Sequence, residues 1–367
     1  MIEMPRLSSM RWLGFALATL GLDACSSLRY TAHVAHGQAM LLVHRQSVAR
    51  MVADPRTDAS LRARLSEAQA ARRFASDHLD LPRNRSYTSY VDLGRPFVTW
   101  NVFATPEFSV EPVTHCFPFA GCVAYLGFFD STHALEAAKK LADRGDDAQV
   151  EGAAAYSTLG WFADPLLSSM LRWDDDELDG VIFHELAHQQ LYVKDDTAFN
   201  ESFASFVQEQ GLRDWRAARG LMPKDAAAES VRDLGFQHLV LDLRERLRAL
   251  YAKPLAAAEM RAAKENEMAA FRQRYASVRD SDWHGDVRYD HWVAAPIDNA
   301  RLLPFGLYER WVAAFAALFE QSGKAWPAFY LRVANLAKTP KLQRDCELTT
   351  LAADHHDAIG ISPECPK

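Results

Sequence analysis

His184-Glu185-Leu186-Ala187-His188, followed by Glu201, combines residue types and a spacing that suit a metal-dependent hydrolase. Four residues of an α-helix turn through about 400° and rise about 6 Å, so His184 and His188 share one face and both imidazoles reach a single ion. A third donor follows from the elements around them. Asp174 is a good N-cap and Glu177 completes a capping box, which predicts a helix from there through Leu191. Lys194-Asp195-Asp196-Thr197 reads as a turn, and Asp196 or Thr197 caps a second helix whose apolar positions Phe199, Phe203, Phe206 and Val207 recur at helical spacing. In such a hairpin His188 and Glu201 return to similar heights. Glu201, with Ser205 and Gln208, lies off the phenylalanine face and points to the histidines.

Two histidines and one glutamate leave a fourth position for water, the pattern of catalytic zinc, so one Zn2+ per chain is expected. Glu185 is rotated about 100° from His184 and flanks the ion instead of binding it. Its role is that of general base, taking the proton of an attacking water and passing it to the leaving amine. Glu209 and Asp195 are rival third ligands, and a merely structural histidine pair is the bland alternative. A metzincin is excluded, because the positions that need Gly and His hold Leu191 and Lys194.

Residues 1–24 read as a lipoprotein signal peptide. Arg6 and Arg11 precede an apolar run from Trp12 to Leu22 that is too short to span a bilayer, and Leu22-Asp23-Ala24-Cys25 ends it. Cys25 is then the lipidated first residue, and Ser26 and Ser27 are compatible with the outer membrane. The expected location is the periplasmic side of a bacterial envelope, with the membrane met through the N-terminal lipid. Four cysteines remain, which makes Cys116 with Cys122 and Cys346 with Cys365 disulfide candidates in an oxidising compartment.

About half of the residues are apolar (49%), enough for a sizeable core, and the net charge of −7 argues against nucleic acid as a partner. Residues 25–367 are read as one metallopeptidase unit of α+β, zincin-like class. It comprises a helical segment over 28–85, a small sheet with the metal helices over 86–215, and a mainly helical part over 216–367. The first segment breaks at Asp54-Pro55, and His33 and His36 are expected on its surface. Strands are expected at Phe97–Phe103, Glu107–Val113, Cys122–Phe129 and Asp147–Gly152, with a short helix over Ser131–Asp143. Two long amphipathic helices, Glu229–Lys253 and Leu255–Val278, suggest an outer hairpin.

An edge strand beside the metal helix would hold the substrate backbone, supplied by Cys122–Phe129 or by Ala153–Trp161. Tyr156 is a candidate donor to the oxyanion, while Trp161, Phe162 and Leu166 are expected in the core. The segment Asp280–Ile297, rich in Trp, His and Tyr, could line a cleft, which makes His284, His291 and Tyr308 further candidate donors.

Three stretches, SYTSYVDLGRPFVTWNVFATPEFSVEPVTHCFPFAGCVAYLGFF, AYSTLGWFADPLLSSM and FHELAHQQLYVKDDTAFNESFASFVQEQG, resemble a family of predicted zinc aminopeptidases found as lipoproteins in proteobacteria. The likeness covers most of residues 25–211. It implies a gluzincin-like site with His184, His188 and Glu201 as ligands, Glu185 as the catalytic acid/base, and a peptide or protein substrate. The G-x-M-E-N motif that often grips a free amine is absent, and Glu151 is a possible stand-in. Metallopeptidase therefore follows from the residues, and aminopeptidase from the resemblance. The competing readings are an endopeptidase acting on envelope proteins and a non-catalytic binding or assembly module on the same fold.

Overall fold

The Ala- and Leu-rich start of the chain forms three helices, α1 over 29–43, α2 at Val48–Ala53 and α3 at Ala59–Asp77, in a computed structural model that describes residues 29–117, 121–158, 160–221, 226–308 and 310–353. The signal segment, Cys25 and Cys365 lie outside the described residues. Asp54-Pro55 separates α2 from α3 as expected. His36 is exposed, but His33 is half-buried, because its Nε2 accepts the Phe129 N–H at 3.0 Å.

A small mixed sheet follows. β1 (Gln46–Ser47) pairs antiparallel with β2 (Ser89–Val91), which runs parallel to β8 (Leu166–Leu167). The main sheet has the order β6 (Tyr125–Phe128), β3 (Thr99–Pro106), β7 (Asp146–Ala153), with both pairs antiparallel and Val102 opposite Leu126 on one side and Val150 on the other. Helix α4 (Ser131–Ala142) packs Ala134, Ala138 and Leu141 against Val102, Ala104 and Phe128. The expected strand Cys122–Phe129 is broken in two. Its first part, β5 (Gly121–Val123), pairs with β4 (His115–Phe117), and the Cys116–Cys122 disulfide closes this hairpin across a Cα separation of 3.9 Å.

Glu107–Val113 is not a strand. Its alternation was a false signal, since Val110 and Phe108 are drawn into a separate helical core and not onto a sheet. The Ser109 N–H bonds back to Pro106 O, and Arg244 fixes Val110 O at 3.1 Å. That second core belongs to α7 (Ala226–Tyr251) and α8 (Ala257–Ser281), the long amphipathic hairpin, with Phe236, Val240, Leu243, Met268 and Phe271 at its centre. The aromatic segment after α8, which includes α9 (Asp290–Ala294), packs Trp283, Tyr289 and Trp292 onto the same core.

The largest core surrounds two helices. Asp174 starts α5 (Asp175–Gln190) with a complete capping box, its carboxylate accepting the Glu177 N–H at 2.8 Å and its own N–H donating to Glu177 Oε2 at 3.1 Å. Asp196 caps α6 (Thr197–Ala218). The stripe Phe199, Phe203, Phe206 and Val207 is at most 1% exposed. It is covered by α11 (Val312–Gln321) and α12 (Trp326–Leu336), with Phe203 and Phe315 rings 5.7 Å apart and Phe206 and Phe329 rings 5.1 Å apart. The short α10 (Leu303–Tyr308) and the C-terminal α13 (Lys341–Ala353) complete the shell. With the aromatic face so occupied, the Glu201–Gln208 face is left to meet α5. A Cβ on Gly180 of α5 would sit 2.8 Å from Leu212 Cδ1 and 3.2 Å from Gln208 Cγ, so glycine there lets the two helices approach closely.

Candidate metal centre

The α5–α6 hairpin brings together the three residues that sequence spacing singles out as ligands. His184 Nε2 and His188 Nε2 lie 3.1 Å apart, and Glu201 Oε2 is 3.4 Å from the first and 3.5 Å from the second. Both histidines are buried, at 8% and 7% exposure. Among the described residues this is the group of His, Cys, Asp or Glu donors disposed to hold an ion.

The donor set fits a small divalent metal. Tetrahedral bonds of about 2.0–2.1 Å place neighbouring donors about 3.3 Å apart, which is the size of this triangle. The two Nε2 atoms face each other at 3.1 Å, so both can turn to a single ion between them. Electrostatics point the same way. Burial works to lower the His188 pKa, yet the carboxylates of Glu201 and Glu185 outweigh it and leave it raised. Burial likewise pushes the Glu201 carboxyl up, but the two histidines hold it well below the usual carboxylate range. The far side of His184 is also engaged: its Nδ1 lies 3.1 Å from Gln208 Oε1, two helical turns along the Glu201 face of α6. Contact with the amide oxygen sets Nδ1 as the protonated nitrogen and frees Nε2 as a donor to metal.

Glu185 is half-buried beside this group and lines the same cleft, whose volume is about 1330 Å³. Both proposed edge segments line the cleft as well, through Tyr125 and Gly127 on β6 and through Ala153–Thr158 after β7. Tyr156 is in that wall, 5.3 Å from the Phe129 ring, and burial raises its pKa to about 12. Its charged and phenolic neighbours are Asp164 and Tyr30, not the carboxylates of the metal group. Tyr125 is closer to the histidine–glutamate group. Burial, then Glu201 and Glu185, raise its pKa, and its ring rests on Phe103 at 5.1 Å. Tyr192, 41% exposed, flanks Glu201 from the end of α5. Neither tyrosine stands out in the sequence. Tyr192 lies just past the end of α5, so no helical spacing marks it, and nothing local marks which strand face Tyr125 occupies.

Several expectations are corrected. Trp161 and Phe162 are not core residues but stand at the cleft rim, 75% and 47% exposed; Leu166 is fully buried. His284 and His291 lie outside the cleft lining, in the segment packed on α7 and α8, and the side chain of Tyr308 is outside the described residues. Glu151 faces Arg301 and Trp292 in a smaller pocket along the edge strand β7 and is not among the cleft-lining residues. Of the rival ligands, Glu209 is in the cleft wall, paired with Arg213 at 3.6 Å. Asp195, in the α5–α6 turn with φ 63°, accepts the Cys122 N–H at 2.7 Å and so ties the disulfide hairpin to the metal helices. Cys346 sits on α13.

Comparison with curated proteins and with solved structures gives no match. Residues 29–348 match the model of a family described as "Putative aminopeptidase", and the chain belongs to that family.

Proposed function

We propose that the chain is a zinc peptidase that removes residues from the amino ends of peptides, with His184, His188 and Glu201 holding one Zn2+ and Glu185 as general base. The observation that carries this reading is the triangle of two Nε2 atoms and one carboxylate oxygen, with edges of 3.1–3.5 Å, in the same cleft as a carboxylate left over from the ligand set. The amino-end preference rests on family membership.

When bound, zinc supplies a Lewis acid that polarises the scissile carbonyl and acidifies water. The chain's own groups do the rest. Glu185 accepts the proton of the attacking water and delivers it to the amine that leaves. The Gln208 amide keeps the His184 ring in register. The cleft wall is largely apolar, which strengthens each of these polar contacts. The size of the cleft, large enough for several residues, favours a second reading, an endopeptidase acting on envelope proteins.

Metal analysis with a peptide digest separates these. The purified protein should carry about one zinc per chain, lose cleavage with a chelator and regain it with zinc. Free peptides should be shortened from the amino end and N-acetylated ones spared. Cleavage that persists without metal would overturn the zinc assignment, and interior cuts would favour the endopeptidase.

A finer prediction concerns Gln208. Gln208→Ala removes the partner of His184 Nδ1 and should weaken zinc affinity about 10–100-fold, read by competition with a chromogenic chelator. Unchanged affinity would show that Gln208 does not orient the ligand.

A further inference from the structure

The β6 strand pairs with β3 on one side only, and its Tyr125 and Gly127 line the cleft together with Thr99 and Asn101 of β3. Backbone groups of alternate residues on a strand point to the same side, so Tyr125, Gly127 and Phe129 share the outward direction. The last two of these are already taken. Tyr30 of α1 donates its hydroxyl to Gly127 O at 3.2 Å, and His33, one helical turn on, receives the Phe129 N–H at 3.0 Å. Arg95 holds the remaining Phe129 oxygen at 2.6 Å. The helix is pressed onto the strand at Gly37, where a Cβ would come within 2.2 Å of the Phe129 ring. On both sides of that point α1 forms a wall of the same cleft, through Val34, Gln38 and Leu42.

We propose that α1 is the stop that ends the substrate groove and confines the enzyme to chain ends. Resting on the peptidase reading above, this names the device behind end-trimming and the substrate it admits: a peptide whose terminus falls within about two residues of the centre. An extended peptide that pairs beside Tyr125, next to Glu185 and the metal ligands, advances about 3.3 Å per residue along β6. At Gly127 it meets Tyr30, and at Phe129 it meets His33, each already bonded to the backbone group that the next peptide unit would need. The strand edge is blocked by satisfied hydrogen bonds as well as by bulk, which costs a longer substrate two pairings. Together with the family membership, the end held against α1 is the amino end.

The test uses the full chain loaded with zinc and compares cleavage of the same bond placed one residue and four residues from the amino end of a peptide. Two variants open the groove by independent routes. Tyr30→Ala/His33→Ala frees Gly127 O and Phe129 N–H, and Gly37→Ala drives a methyl into Phe129 to lift the helix. Faster hydrogen exchange at Gly127–Phe129 reports that the edge has been released in either one. The ratio of inner to end cleavage should then rise at least about tenfold, the gain that two new backbone hydrogen bonds to substrate supply. A merely structural role of α1 would depress both rates together and leave the ratio where it was. An unchanged ratio in a variant whose edge is released overturns the stop and leaves the peptidase reading intact. So does a wild-type protein that cuts four residues from the amino end as fast as one residue from it. If no form cleaves any peptide, the peptidase reading falls first and the stop with it.

Discussion

Glu185→Gln is expected to lower kcat/KM for peptide hydrolysis about 10²–10⁴-fold while the protein still folds and binds one zinc per chain. Glutamine has the shape of glutamate and a similar helix propensity, so α5 and its capping box should be undisturbed. The proposed metal ligands are other residues, His184, His188 and Glu201, and among the described residues Glu185 makes no hydrogen bond that its loss would leave unpaired. What the amide cannot do is accept a proton from water. The fall should therefore come mainly in kcat, with KM little changed, since the proposed binding of the peptide along β6 and the cleft wall does not use this carboxylate. Full activity with a normal metal content would remove Glu185 from the mechanism. Retained biological function in a strain carrying the variant, with peptide cleavage lost, would instead favour a binding role on the same scaffold.

The metal hairpin was legible because its signals are local. Asp174 and Glu177 announce the start of α5 three residues apart, the His184–His188 spacing defines a face, and the stripe of Phe199, Phe203 and Phe206 tells which side of α6 is buried. By elimination, Glu201 and Gln208 face the histidines. Residues whose roles depend on partners distant in sequence were not legible. Glu107–Val113 alternates as a strand would, yet Val110 is claimed by α7, more than a hundred residues away. Trp161 and Phe162 have the composition of core residues, but exposure at a cleft rim is decided by what fails to cover them. His33 and Tyr30 look like surface residues of an amphipathic helix, and only the packing of α1 on β6 shows that they complete a sheet edge. Tyr125 is a parity problem: strand periodicity assigns it to one of two faces without saying which one meets the metal helices.

Asp196→Ala should destabilise the protein by about 3–5 kcal/mol, the scale for breaking a buried ion pair by removing one partner. Asp196 is 3% exposed and Arg344, on α13, is 4% exposed. The guanidinium reaches one carboxylate oxygen through Nη2 at 2.5 Å and Nε at 3.1 Å, while Lys341 Nζ takes the other oxygen at 3.0 Å. The same carboxylate caps α6, accepting the Phe199 N–H at 3.4 Å, and Arg344 lies over the Phe199 ring at 5.2 Å. Truncation thus uncaps the helix that carries Glu201 and strands a buried cation, and the second effect is the larger. Acid should mimic the mutation. Burial pushes the Asp196 carboxyl up, but its bonds to Arg344 and Lys341 outweigh that and hold it below the ordinary value of 3.8. A carboxyl depressed in the folded state contributes stability that is fully present above its unfolded pKa of about 4 and is lost as pH falls through the folded one. Urea unfolding at neutral pH and near pH 3 would show both: the variant should be weaker at neutral pH, and the gap to wild type should narrow in acid. A loss under about 1 kcal/mol at neutral pH would mean that the buried pair contributes little net stability, as when its desolvation cancels its attraction.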